Sequence, residues 1–120
     1  MTRVFVYGSL LVGEPNHHVM RGATLVGPAT TAPVYELFDL GRYPGLVAGG
    51  AGAVVGELFV VDAAGLERLD RFEGHPTWYR RDTIALASGD AVQAYLVERD
   101  ATVGRPRIDG GDWRRYRRER

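Results

Sequence analysis

The chain has 120 residues, with 15 arginines balanced by 15 acidic side chains, and neither lysine nor cysteine. That length suits one domain (residues 1–120) around one hydrophobic core. The balanced charge argues against nucleic acid or a membrane surface as a partner. The missing residue types exclude thiol catalysis, disulfides, thiolate metal sites and lysine Schiff bases. No apolar run approaches the roughly 20 residues of a membrane span. Gly8, Ser9 and Glu14 interrupt the apolar start that a signal peptide would need, so a cytoplasmic protein is expected.

Val4, Phe5, Val6 and Tyr7 are β-branched or aromatic and predict a first strand over 3–7. Gly8 and Ser9 end it at once. The turn that follows sets a tyrosine, a hydroxyl and several backbone N–H groups side by side, as a receptor for an anion or carbonyl would. Pro15 and Asn16 open a short helix over 16–21. Two extended pieces follow, bent at Gly27-Pro28 and Ala32-Pro33. A loop then holds a brief strand over 45–48. "AVVGELFVV" is the strongest strand in the chain, with Gly56 expected at a bulge. Asp62 is placed to cap an amphipathic helix that Gly74 stops. "TWYRRDTIALA" and "AVQAYLVER" form two strands joined through "SGD". The arginine-rich tail over 109–120 reads as a polar, solvated or partner-facing segment. Many strands, two short helices and Gly/Pro turns indicate an α+β domain with a mixed, strongly curved sheet or small barrel.

Several motifs imitate chemistry. Residues 8–13 resemble the start of a phosphate loop, but Glu14 stands where lysine is needed. "GGAGAVVG" leads into a strand and so lacks the helix N-terminus that would hold a pyrophosphate. His17 and His18 are neighbours on a helix, splayed by about 100°, and cannot easily share a metal. His75 lies in a turn. Ser9 has no nucleophile-elbow context and no evident base.

One carboxylate stands out. Leu66, Leu69 and Glu73 fall at i, i+3 and i+7, so Glu73 ends the apolar stripe of its helix. Partial burial, the like charge of Asp70 and the negative end of the helix dipole would each raise its pKa toward the range of a general acid/base. The alternative is a salt bridge to Arg80 or Arg81. Glu67 and Arg71 form an ordinary surface pair.

Three stretches together resemble the γ-glutamylcyclotransferase family, and most closely its γ-glutamylamine cyclotransferase branch. They are "VFVYGSLLVGEPNHHVM", "LDRFEGHPTWYRRDTI" and "DGGDWRRYR"; "YPGLV" is similar to the family's mid-chain loop. The resemblance implies a compact mixed β-barrel with short flanking helices. It implies conversion of an L-γ-glutamyl amine or amino acid into 5-oxoproline and a free amine, with no cofactor and no metal. In that reading Glu73 is the catalytic residue. Tyr7, Gly8, Ser9 and Leu10 bind the substrate, Gly8 by letting the backbone approach it, and Tyr79 lies near the pocket. The rival reading is a non-catalytic module that keeps the pocket for a small ligand or a partner.

Overall fold

The computed structural model describes residues 1–119; Arg120, the last residue of the tail, lies outside the described residues. Seven strands are found: β1 (Thr2–Val6), β2 (Thr24–Thr30), β3 (Tyr35–Asp39), β4 (Pro44–Ala48), β5 (Val55–Val61), β6 (Arg80–Ala85) and β7 (Ala91–Leu96). Helix α1 (Ala63–Glu73) lies between β5 and β6, and α2 (Trp113–Glu119) ends the chain; the expected helix after the first turn is a single 3-10 turn at His17–Met20.

The strands form one mixed sheet in the order β2-β5-β1-β7-β4-β3, with β6 on the remaining edge of β7. Alternation along β1 sorts its side chains between two cores. Phe5 packs with Leu37, Leu46, Ile84 and Trp113, whereas Val4 and Val6 pack with Phe59 and with Leu69 of α1. The sheet curls without closing, so the expected barrel is corrected to an open, curved sheet. The physical reason lies at the ends of β2 and β6. They meet only through the isolated Thr31–Leu86 bridge and two flanking backbone hydrogen bonds, not a ladder.

A split in the sheet creates the site. β7 gives its whole length to β6 on one edge. Its other edge is divided between two parallel partners, with Gln93 against Val4 of β1 and Leu96 against Leu46 of β4. β1 and β4 therefore part company beside Tyr95. Tyr7 fills the gap: its hydroxyl donates to the Tyr95 carbonyl (2.6 Å) and accepts from the Leu46 N–H (3.2 Å).

Helix α1 has the expected ends. The Asp62 carboxylate accepts from the Gly65 N–H at 2.7 Å, and Gly74 adopts the left-handed conformation (φ 68°) that terminates the helix. Two expectations are corrected. The irregularity of the central ladder falls in β2, between Leu25 and Gly27, not at Gly56. Gly56 is demanded instead by close packing, because a Cβ there would stand 2.1 Å from the Val6 carbonyl oxygen. The tail is solvated only in part, with Arg115, Arg117, Arg118 and Glu119 exposed. Trp113 is buried in the core beneath the sheet. Arg114 reaches the Glu57 carboxylate and the Val12 carbonyl, and Arg117 pairs with Glu14.

Candidate active site

A cavity of about 530 Å³ opens where β1 and β4 diverge. Tyr7, Gly8, Ser9 and Leu10 form one wall, and Glu73 and Tyr79 face them from the end of α1 and the residue before β6. All six residues singled out in the sequence thus border one space. The turn after β1 is held from behind. The Leu11 N–H donates to the Gly8 carbonyl and the Asn16 N–H to the Ser9 carbonyl, while His17 Nδ1 lies 2.9 Å from the Leu10 carbonyl. These bonds turn carbonyls away from the cavity. The N–H groups of Gly8, Ser9 and Leu10 donate to no acceptor among the described residues. Three consecutive open amides beside the Ser9 hydroxyl form a nest for an anionic or carbonyl oxygen. Gly8 has a packing role as well, since a Cβ there would lie 2.7 Å from Cγ of Pro44 on the opposite wall.

The phenols are more committed than the sequence implies. Tyr7 donates to Tyr95 O, Tyr79 donates to the Pro44 carbonyl (2.8 Å), and Tyr95 donates to Asp70 Oδ1 (2.7 Å). Burial raises the pKa of all three, and the charge of Glu73 raises each of them further. They stay protonated and act as struts, which leaves the backbone amides and Ser9 as the open donors.

Glu73 is partly buried, and among the described residues its carboxylate makes neither a hydrogen bond nor an ion pair. Burial pushes its pKa up to about 7. The expected help from Asp70 is absent. Burial would raise the Asp70 pKa too, but hydrogen bonds from Arg81 and Tyr95 outweigh it and hold the group below the usual carboxylate range. Arg81 takes Asp70 at 2.9 Å, and Arg80 takes Glu98 and Asp82. The salt-bridge alternative for Glu73 is therefore not realised. His75 serves the same scaffold, with Nδ1 accepting the Arg81 N–H at 2.9 Å. No group of metal-ligating side chains is assembled among the described residues.

A family model described as gamma-glutamyl cyclotransferase, AIG2-like, matches residues 4–115. The chain belongs to that family. A Vibrio cholerae protein provisionally named a gamma-glutamylcyclotransferase is 44% identical over 92% of this chain and 93% of its own length. The gamma-glutamylcyclotransferase family protein YtfP of Escherichia coli is 39% identical over 92% of this chain and 95% of its own. The crystal structure of an AIG2-like mouse protein superimposes with a TM-score of 0.70 at 34% identity, covering 81% of this chain and 77% of that one. The family match spans both walls of the cavity, from the β1 turn to the Glu73 segment.

The sequence did not reveal the rest of the lining. Tyr43, Phe72, Trp78 and Tyr95 also border the cavity, as does Arg71, whose guanidinium pairs with Glu67 at 3.0 Å. Strand alternation in β7 could have offered Tyr95. Nothing local marks the others, because they meet only when β4 and α1 close on the same opening.

Proposed function

We propose that the chain is a cofactor-independent cyclotransferase that releases 5-oxoproline and a free amine from an L-γ-glutamyl amine or γ-glutamyl amino acid. The observation that carries this reading is an unpaired carboxylate with a pKa near 7 across one cavity from three open backbone amides. The reaction needs no enzyme nucleophile. The substrate's own α-amine attacks its γ-carbonyl carbon and closes a five-membered ring. Glu73, ionised, takes a proton from the attacking nitrogen. The carbonyl oxygen gains the negative charge and is stabilised by preorganised N–H donors of the turn. As the tetrahedral centre collapses, the bond to the leaving nitrogen breaks and Glu73 returns its proton there. One carboxylate thus acts as base and then as acid, a cycle that favours a pKa near the working pH. Holding the glutamyl chain folded against the turn lowers the entropic barrier.

The test is 5-oxoproline release, followed by mass spectrometry, from γ-glutamyl amines and γ-glutamyl amino acids. Release by the wild type, with kcat/KM rising with pH through about 7, supports the reading. Tight binding of these compounds without turnover would establish the rival, a pocket that only binds.

A further inference from the structure

The cavity is larger than a glutamyl head requires, and its outer part has a distinct chemistry. Its volume, about 530 Å³, lies in the range that holds drug-sized ligands. The polar elements sit inside, at the turn and Glu73. Tyr43, Phe72 and Trp78 border the same cavity and are 44%, 41% and 79% exposed. None of the three belongs to either hydrophobic core. Single exposed aromatics need no explanation, but three bordering one cavity give its opening an apolar, aromatic lining.

The backbone at Trp78 is also held in place. Its N–H donates to the Gly74 carbonyl at 2.9 Å, and the following Tyr79 N–H donates to the Glu73 carbonyl at 3.2 Å. The indole lies against the Gly74 backbone, so that a Cβ on Gly74 would stand 2.5 Å from indole Cδ1. The indole is thereby set against the turn that ends the acid/base helix, five residues beyond Glu73, with most of its surface open to solvent. The charges nearby select among the groups such a surface can take. Arg71 borders the cavity and Glu73 is the one carboxylate lining it among the described residues. A cationic tail would meet the Arg71 guanidinium, which Glu67 offsets only in part, whereas a flat uncharged group is repelled by neither charge and can lie on the rings.

We propose that Trp78, with Phe72 and Tyr43, is a platform for the leaving half of the substrate and selects amines bearing a flat, apolar substituent. This rests on the cyclotransferase reading. The glutamyl head occupies the turn, the scissile nitrogen lies beside Glu73, and the substituent runs outward over the indole.

The test compares γ-glutamyl-phenethylamide, γ-glutamyl-methylamide and γ-glutamyl-putrescine as substrates of the wild type and of Trp78→Ala. The phenethylamide is expected to exceed the methylamide about tenfold or more in kcat/KM, as for a substituent seated in an apolar site. The putrescine amide should not exceed the methylamide. In Trp78→Ala the phenethyl-to-methyl ratio should fall to about one. Equal ratios in both proteins, or a preference for the diamine, overturn the proposal. Titration of the same amides into Glu73→Gln by calorimetry separates this from failure of the cyclotransferase reading. Without turnover anywhere, a preference for the phenethylamide that Trp78→Ala abolishes keeps the platform and sinks only the reaction. The same affinity for all three amides sinks the platform.

Discussion

Asp70 and Glu73 lie one turn apart on the same helix and are driven in opposite directions. Asp70 faces β6 and β7, where Arg81 and the Tyr95 hydroxyl bind it and keep it charged. Glu73 faces the opening between β1 and β4, where burial acts without a partner and keeps its proton on until about pH 7. Position on the helix does not explain the contrast, since both sit near the same negative helix end. The surroundings do. One carboxylate has been spent on structure so that its neighbour can be left alone, the pattern by which two like groups take different chemical roles.

Removing the proton-carrying group should have the largest effect. Glu73→Gln keeps the shape and loses the titration, and we expect turnover to fall by about 10²–10⁴-fold with the circular dichroism spectrum unchanged. Asp70→Asn attacks the other side of the contrast. It strips Arg81 of its countercharge and leaves one amide oxygen to serve both Arg81 and the Tyr95 hydroxyl, beside the Gln93 oxygen 3.0 Å from Arg81. Chemical denaturation should register a loss of about 1–3 kcal/mol. The pH dependence of stability should distinguish the two acids as well. The Glu73 pKa is higher folded than unfolded, so ionisation penalises the folded state. The penalty is absent below the ordinary carboxylate pKa and complete above about 7. Glu73→Gln should therefore be more stable than wild type at pH 8, by about 1–2 kcal/mol allowing for solvent screening, and lose that advantage toward pH 4.5. Asp70 has the opposite sign. Its contribution is present above the ordinary aspartate pKa and disappears as pH falls through its lowered folded value. The smallest change is Tyr95→Phe, which removes one donor from Asp70. It should raise the Asp70 pKa, visible by NMR, and cost about 1 kcal/mol in thermal unfolding.

One side of this contrast, the place of Glu73, was readable from residue order. The 3.6-residue period of "LERLDRFEG" put Glu73 on the stripe that packs on the sheet, and Asp62 and Gly74 marked the helix ends. The break of β1 at Gly8-Ser9 marked the turn, and the two were joined only through a resemblance that spans them. The choice made by Arg81 was not readable. Asp70 and Glu73 are both within reach of β6 in sequence, and the outcome depends on the β6–β7 register that brings Gln93 and Tyr95 alongside. Closure of the sheet also depends on distant strand ends, which local patterns do not encode. The tail was misleading for a plain reason. Its five arginines over 114–120 dominate its composition, while one tryptophan decides its fate by entering the core.

The measurement that bears most directly on the account is the titration of the Glu73 side-chain carboxyl carbon by NMR, with Glu73→Gln used to assign the resonance. The account predicts a midpoint near pH 7. A midpoint at or below the ordinary glutamate value, about 4.3, would mean that Glu73 is solvated or ion-paired in solution and would contradict its role as the acid/base.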